Sequence, residues 1–307
     1  MRRGPTTWIA AAALVAGVGA SAALVSSTHS RSPGVPTAAL PVSAASVLAT
    51  MGAVNSGALT SPFAPPPAGP AGPPPLRQQD NVDYDGHFTF VRIRFTPAAG
   101  RGRGRGGCYG GGNFGEPSWA HDYPRAERNL MRILSETTYL EPYLGGGNIL
   151  WTRDEELFRY PLAYLSEPGC WTMEEDEVQG LRAYLQKGGF LIADDFRGRD
   201  WTNFQEQMRR VLPEAYFVEL DSRADIFQSF FEIDERVLRS GGRGWTYPSY
   251  LGIYEDNVPS KRLLVIANYN NDIGDYWEWA DEGFLPIDLT NDAYKLGVNY
   301  IIYAMTH

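Results

Sequence analysis

The sequence predicts an α/β domain in residues 80–307, with a mostly parallel, doubly wound sheet that helices cover on both faces. Two observations support this prediction. Segments such as 190–193 and 262–268 are mostly apolar, which is typical of strands that are buried on both faces of a parallel sheet. Amphipathic segments separate these strands, and the alternation of strand and helix is the pattern of a doubly wound domain.

The chain before this domain has the composition of an export segment and a linker. Residues 1–25 combine a basic start with an apolar run, and the small residues around Ala22 fit a signal peptide cleavage site. Residues 26–79 are rich in proline and alanine and predict an extended linker. We therefore expect a periplasmic or secreted protein, or one that an uncleaved segment at 8–25 anchors in the inner membrane.

The predicted domain is acidic, which argues against nucleic acid as its partner. Residues 1–79 carry four arginines and no acidic residue, so the net charge of −9 leaves −13 for residues 80–307. The Arg-Gly run at 101–115 is therefore interpreted as a loop between the first strand and the first helix. Cys108 and Cys170 fit one disulfide or two free thiols, and they are too few for a structural zinc site.

The strands follow from the hydrophobic pattern. Residues 88–95 alternate, which predicts a first strand with Val91 and Ile93 on one side and Arg92 and Arg94 on the other. Further strands are predicted at 148–151, 160–165, 190–193, 216–219 and 262–268. The stretch 221–260 is predicted to be irregular.

Helix starts are marked by proline and by capping residues. Pro124 predicts the first helical position, with Asp122 as a cap and His121 as a solvated loop residue. Two more starts are predicted from capping boxes, in which residues three apart bond each other's backbone: Thr172 with Glu175, and Thr202 with Gln205. The last helix is predicted at 292–305.

The candidate site lies where the strand at 190–193 ends, at Asp194 and Asp195, because ligands bind at the carboxyl ends of the strands in such sheets. Three interpretations stay open. The two aspartates bind a divalent cation together with Asp122 or His121, or they act as an acid/base pair. Alternatively they are structural, with Asp195 capping the following turn and Asp194 paired with an arginine such as Arg197 or Arg199, since neighbouring strand residues point to opposite faces.

A wider set of side chains is assigned candidate roles. Asn270 and Asp275 bound a polar stretch that is interpreted as a solvated turn. Tryptophans in predicted loops, such as those at 244–250 and 276–279, either cover sheet edges or stack on a ligand. The catalytic candidates are His121, Asp194 and Asp195, the metal ligands Asp122 and Asp194, and the binding residues Trp119, Asp122, Arg125, Asp194 and Asp195.

Four segments together resemble the domain-of-unknown-function family DUF4159: WAHDYPRAERNL, YPLAYL, LRAYLQKGGFLIADD and LGVNYIIYAMT. The resemblance covers residues 86–306. Since that mostly bacterial family is grouped with the class I glutamine amidotransferase-like superfamily, the resemblance implies a flavodoxin-like three-layer sandwich. The superfamily's enzymes carry a cysteine on the turn after a central strand, but here Asp194 and Asp195 stand there, so their Cys-His-Glu triad is not carried over.

These observations predict an exported bacterial binding or scaffolding domain that is not an enzyme. Its crevice at the carboxyl ends of the strands would take a small polar ligand or a cell-envelope protein, and only the N-terminal segment would contact a membrane. No cofactor is required by the sequence, although a divalent cation fits. The alternative is a carboxylate-dependent, metal-assisted hydrolase of carbohydrate or peptide, which requires acidic groups, or an acid and His121, to converge with shifted pKa values.

Overall fold

A computed structural model of the chain describes residues 81–98, 117–241, 247–283 and 285–307. The predictions for the export segment, the linker, the Arg-Gly run and Cys108 fall outside these residues. In the part that is described, no helix has the length and apolar character needed to cross a membrane. Cys170 is disulfide-bonded.

The core of the domain is a seven-stranded sheet with strand order β3-β1-β4-β6-β9-β8-β7. The strands of the chain are β1 (Phe90–Ile93), β2 (Thr96–Pro97), β3 (Gly147–Leu150), β4 (Leu162–Ser166), β5 (Trp171–Thr172), β6 (Phe190–Phe196), β7 (Val218–Glu219), β8 (Ser249–Tyr254) and β9 (Leu263–Tyr269). The first five strands of the sheet are parallel to one another, whereas β8 and β7 add antiparallel pairs at one edge. The predicted α/β class with a mostly parallel sheet is confirmed.

The order of the five parallel strands is 2-1-3-4-5 in chain order, which is one of the two common orders of doubly wound sheets. The order reverses between β1 and β4. After β1 the chain forms β3 at the edge of the sheet, and it then crosses back to form β4 on the opposite side of β1. Such a reversal opens a crevice at the carboxyl ends of the two strands, and ligands bind there in folds of this type.

Helices cover both faces of the sheet. They are α1 (Arg125–Thr137), α2 (Glu175–Gln186), α3 (Asp200–Val211), α4 (Glu235–Leu238), α5 (Ile273–Glu278) and α6 (Ile287–Thr306). Neighbouring strand residues alternate between two apolar cores: Ile192 packs with α1, α5 and α6, whereas Leu191 and Ala193 pack with α2 and α3. This alternation of wholly buried positions explains why the parallel strands read as continuous apolar runs.

Both predicted capping boxes are wrong in position. At α2 the box is formed by Glu174 and Glu177, because Thr172 belongs to β5 and therefore lies too early in the chain. The start predicted at Thr202 is also displaced, since α3 begins two residues earlier and no side chain caps it.

Two elements in predicted loops are ordered structure. β8 lies within the stretch predicted to be irregular and pairs with β9 along its whole length. The aromatic segment predicted as a loop belongs largely to α5, where Trp277 is buried and its indole N–H donates to the carbonyl of Ala293 at 2.9 Å. Trp277 is therefore a core residue and not a binding platform.

Candidate functional site

Six acidic side chains and one histidine meet at the carboxyl ends of the parallel strands, beside the crevice between β1 and β4. The loop after β1 brings His121, and we call the six carboxyl groups the acidic cluster: Asp122 from the same loop, Glu167 after β4, Asp194 and Asp195 in β6, and Asp272 and Asp275 after β9. The meeting depends on strand order, because four separate segments contribute to it.

A buried arginine holds the loop that carries His121. Arg92 in β1 is fully buried, and its Nε donates to Glu127 of α1 at 2.5 Å. Its Nη1 donates to the carbonyls of Trp119 at 3.1 Å and His121 at 2.6 Å. Arg92 was predicted only to lie opposite Val91 and Ile93; the structure shows that this side of β1 is also covered at Arg92, where Glu127 neutralises the buried charge.

His121 lies at the centre of the cluster. Its Nδ1 is 2.9 Å from Asp195 Oδ2, 3.4 Å from Asp122 Oδ1 and 4.0 Å from Glu167 Oε1. Burial opposes protonation of the ring, but the hydrogen bond to Asp195 and the charges of the neighbouring carboxylates outweigh it and raise the pKa of His121 to about 9. At neutral pH the ring is therefore an imidazolium that can donate a proton but cannot accept one. The predicted solvated histidine is wrong, because the side chain is only 31% exposed.

Asp122 is buried, and no residue in the described part of the chain donates a hydrogen bond to its side chain. The residue is 3% exposed, and its backbone has a φ of 66°. Burial raises the pKa of Asp122 well above its usual range, and the charges of Asp272 and Asp195 add to this effect against Arg92. The predicted helix cap is wrong, because α1 begins with no side-chain cap.

Asp194 is fully buried, and both of its carboxylate oxygens accept hydrogen bonds. Oδ2 accepts from the hydroxyl of Tyr164 at 2.8 Å and from the backbone N–H of Gly274 at 3.0 Å, while Oδ1 accepts from Asn268 Nδ2 at 3.0 Å. Burial raises the pKa of Asp194, and these three bonds oppose that effect. Among the described residues no arginine, including Arg197 and Arg199, pairs with Asp194, so that prediction is wrong. The contacts of Asp194 tie β4, β6, β9 and α5 together.

Asp195 turns towards the crevice because β6 is irregular at this point. Its φ is 55°, and the pairing of β6 with β9 shifts register between Ala193 and Phe196. The irregularity breaks the alternation of strand side chains that the sequence argument assumed. The carboxylate of Asp195 contacts His121, while the backbone N–H of Arg197 in the following turn donates to Asp200 at 3.5 Å.

Three carboxyl groups of the cluster were not among the sequence candidates. Burial and the charge of Asp195 raise the pKa of Glu167 to about 7, although His121 and a hydrogen bond from Ser118 oppose this. Asp272 and Asp275 are 2% and 7% exposed, so the predicted solvated turn is wrong. All three follow the ends of parallel strands, where ligands bind in such sheets. The stretch 270–275 was predicted at that edge but as a solvated turn, and Glu167 was not a candidate.

Trp119 and Arg125 lie at the border of this region. Trp119 is mostly buried, and the guanidinium of Arg94 lies 5.5 Å from the centre of its ring. Arg125 points to the loop after α5, where it bonds Asp281 at 2.6 Å and Glu282 at 2.7 Å. The structure thus brings Asp122, Asp195 and His121 together but directs Arg125 to other acidic partners.

Two groups of three residues have the composition of a metal site. One consists of His121, Glu167 and Asp195, and the other of His121, Asp122 and Asp275. In each group one ligand atom per residue lies within 4.8 Å of the others. Imidazole with carboxylates is a donor set for divalent transition metals. Asp194, predicted as a metal ligand, belongs to neither group.

Comparison with known proteins gives one family. The family described as Domain of unknown function (DUF4159) matches residues 109–305, a range that includes His121 and the whole acidic cluster. No curated protein matches the chain.

Proposed function

Because the chain belongs to the DUF4159 family of domains of unknown function, its function must be argued from the site, and we propose that it is a binding domain for a positively charged ligand. The ligand occupies the crevice at the carboxyl ends of β1, β4, β6 and β9. The observation that carries this proposal is Asp122, a buried carboxyl group to which none of the described residues donates a hydrogen bond.

The charges around Asp122 favour a cation. A buried carboxylate without a hydrogen-bond donor and with incomplete charge compensation costs several kcal/mol. His121 lies 3.4 Å from Asp122 but is hydrogen-bonded to Asp195, and Arg92 is paired with Glu127. Ionisation of the six carboxyl groups beside one imidazolium would leave an excess of negative charge, and a divalent cation or an ammonium or guanidinium group that enters the crevice as protons leave would balance it.

The strand order and the two helical layers support a finer assignment of the fold. We infer a flavodoxin-like three-layer sandwich of the class I glutamine amidotransferase-like type, with Asp194 and Asp195 among the last residues of β6, the strand after which that superfamily's enzymes have their cysteine. Together with the predicted export segment, this describes a periplasmic or secreted binding domain. Its ligand would be a small polar molecule or the exposed cationic group of a cell-envelope protein.

A direct test measures cation binding by the purified full-length chain. Thermal unfolding is followed after chelation and then with divalent cations, spermidine or arginine methyl ester. A ligand at 100 times its Kd stabilises the folded state by about 2.7 kcal/mol, so at least one cation should raise the Tm. The Asp122→Asn variant should lose this increase.

The matched control is Asp292→Asn, which changes another buried aspartate. Asp292 lies in α6, 4% exposed, where its Oδ2 pairs with Arg236 at 3.1 Å. This variant should keep the cation-dependent rise in Tm. The proposal fails if no cation of any class stabilises the chain, or if both variants lose the response equally.

A hydrolase is the second candidate, and the arrangement of His121, Asp195 and Glu167 favours it. The imidazolium of His121 can donate a proton, and a carboxyl group with a pKa of about 7, as in Glu167, can act as acid or base at neutral pH. The substrate would be a carbohydrate or a peptide. Activity on aryl glycosides or peptide anilides that is lost in both His121→Asn and Glu167→Gln would support this candidate, and activity that either variant retains would refute it.

A further inference from the structure

The side of the cluster formed by His121, Asp122 and Asp275 has the spacing of a metal site. One ligand atom from each residue lies within 4.8 Å of the other two. Ligand atoms about 2.0–2.2 Å from a metal ion are at most about 4.4 Å apart, so small side-chain rotations suffice to close the site. His121 is 31% exposed, which provides a path from solvent, whereas Asp122 and Asp275 are buried.

Asp122 supplies an independent sign of a missing ligand. Both of its carboxylate oxygens are buried and lack a hydrogen-bond partner, whereas the other carboxyl groups in the described residues have at most one such oxygen. Oδ1 lies 3.4 Å from His121 Nδ1, so the carboxylate is directed into the group and not away from it. A metal ion can satisfy both its charge and its lone pairs.

The backbone next to Asp275 makes room for this carboxylate. A Cβ on Gly274 would lie 2.6 Å from Asp122 Oδ2, closer than atoms can approach without displacement. Glycine at this position therefore allows the loop after β1 to meet the start of α5. The two carboxyl ligands come from segments about 150 residues apart in the sequence, which the glycine brings together.

The second group, with Glu167 and Asp195, is less suitable. Asp195 already accepts a hydrogen bond from His121 at 2.9 Å, and the carboxylate of Glu167 is bonded by Ser118. If the ion is bound through Nε2 of His121, the hydrogen bond from Nδ1 to Asp195 is kept and orients the imidazole, as carboxylates commonly do for metal-bound histidines.

The structure assigns to His121, Asp122 and Asp275 a site for a divalent transition-metal ion of the Zn²⁺ or Mn²⁺ class. This inference rests on the proposed cation-binding function and names the class of cation. Calcium prefers six to eight oxygen ligands, and magnesium keeps several waters and uses one or two carboxylates. An imidazole with two carboxylates instead suits transition metals and leaves open positions for water or a ligand.

Titration calorimetry on the chelator-treated full-length chain tests this assignment. We expect one Zn²⁺ or Mn²⁺ per chain, bound at least about 100-fold more tightly than Ca²⁺ or Mg²⁺. Asp122→Asn and His121→Asn should each weaken metal binding by about 100-fold or more. Loss of a residue that only hydrogen-bonds a metal ligand already weakens binding by up to about 100-fold, and loss of the ligand itself should cost at least as much. Asp292→Asn should bind within about twofold of the unaltered chain, because Asp292 belongs to neither group and is paired with Arg236.

A spectroscopic measurement identifies the histidine as a ligand. Co²⁺ in place of Zn²⁺ should give visible absorption bands that shift in His121→Asn, which a merely structural role of His121 would not produce. If Asp122→Asn does not fold, as judged by circular dichroism, Asp275→Asn provides the second test of the carboxylate ligands.

The outcomes separate this inference from the proposed function. Equal affinity for Ca²⁺ and Zn²⁺, with no effect of His121→Asn, would overturn the transition-metal site but keep a cation site. Binding of organic cations alone would likewise overturn the transition-metal site and keep a cation site. Loss of Zn²⁺ binding in Glu167→Gln, with binding retained in Asp122→Asn, would place the ion in the other group and overturn the assignment. If no cation binds, both proposals fail.

Discussion

Replacing Asp122 by asparagine should stabilise the metal-free protein, although the residue is buried in the core of the site. The carboxyl group is 3% exposed and accepts no hydrogen bond, and its pKa is raised well above the usual range by burial and by Asp272 and Asp195. Asparagine has nearly the same shape and carries no charge. The substitution therefore removes the electrostatic penalty without creating a cavity.

The size of the effect follows from proton linkage. In the unfolded chain Asp122 ionises near its ordinary pKa of 3.8, and each pH unit above this value favours the unfolded state by up to about 1.4 kcal/mol when the folded carboxyl stays protonated. The ceiling at pH 7 is thus about 4 kcal/mol. The amide of asparagine also lacks partners, which costs about 1–3 kcal/mol, so we expect a net gain of roughly 1–3 kcal/mol.

The sign of the pH dependence is fixed by the raised pKa. The stability of the unaltered chain is greatest below the unfolded pKa and falls as the pH rises towards the folded pKa, whereas asparagine does not titrate. The effect of Asp122→Asn should therefore grow with pH. At pH 4 only the unpaired amide counts, and the variant should be less stable by about 1–3 kcal/mol, whereas at pH 7 the electrostatic gain outweighs this cost. Urea unfolding of the chelator-treated protein at pH 4, 5.5 and 7 gives the free energies of unfolding.

The control for this prediction is Asp292→Asn. Asp292 is also buried but is paired with Arg236 at 3.1 Å and lies 3.7 Å from Lys295, so its loss should destabilise the fold. The reasoning is refuted if Asp122→Asn is less stable than the unaltered chain at pH 7, or if its advantage is the same at all three pH values.

Three further outcomes are expected. Glu127→Gln leaves the guanidinium of Arg92 buried without its counter-charge and should cost about 3–5 kcal/mol in urea unfolding, whereas a loss below about 1 kcal/mol would contradict the buried ion pair. Gly180→Ala should lower the Tm despite the better helix propensity of alanine, because its Cβ would lie 2.1 Å from the carbonyl oxygen of Thr152, and an increase in Tm would show that the contact relaxes freely. The raised pKa of His121 stabilises the folded chain below pH 6.5, and this stabilisation, at most roughly 3 kcal/mol, is lost as the pH rises to about 9. His121→Gln should not show this loss. Parallel pH profiles of stability for the variant and the unaltered chain would refute the reasoning.

The central strands were predictable because their pattern is local. The apolar run that predicts a strand at 190–193 lies within β6, and the run at 262–268 corresponds to β9 with its ends displaced by one residue. In contrast, β8 was missed, since its Gly252 carries no apolar side chain. A Cβ there would lie 2.6 Å from the side chain of Leu263, so close packing across the sheet selects this glycine.

The candidate site was only partly predictable, for a related reason. Asp194 and Asp195 could be placed because they follow a recognisable strand. Their roles could not be assigned, because a left-handed residue at Asp195 breaks the alternation and directs its carboxylate to His121. The occupied oxygens of Asp194 depend on Tyr164 and Gly274, which approach it only in the folded sheet.

The sequence by itself determined the class of this protein: an acidic α/β domain with a mostly parallel sheet, whose polar residues collect at the carboxyl ends of its strands. Hydrophobic periodicity and strand polarity are properties of single segments, so no knowledge of the fold is needed to read them. Only the tertiary structure decided that Asp122 lies buried beside His121 and Asp275, with no hydrogen-bond donor among the described residues. Strand order brings these segments together, and the desolvation and mutual repulsion of their charges arise only once they meet.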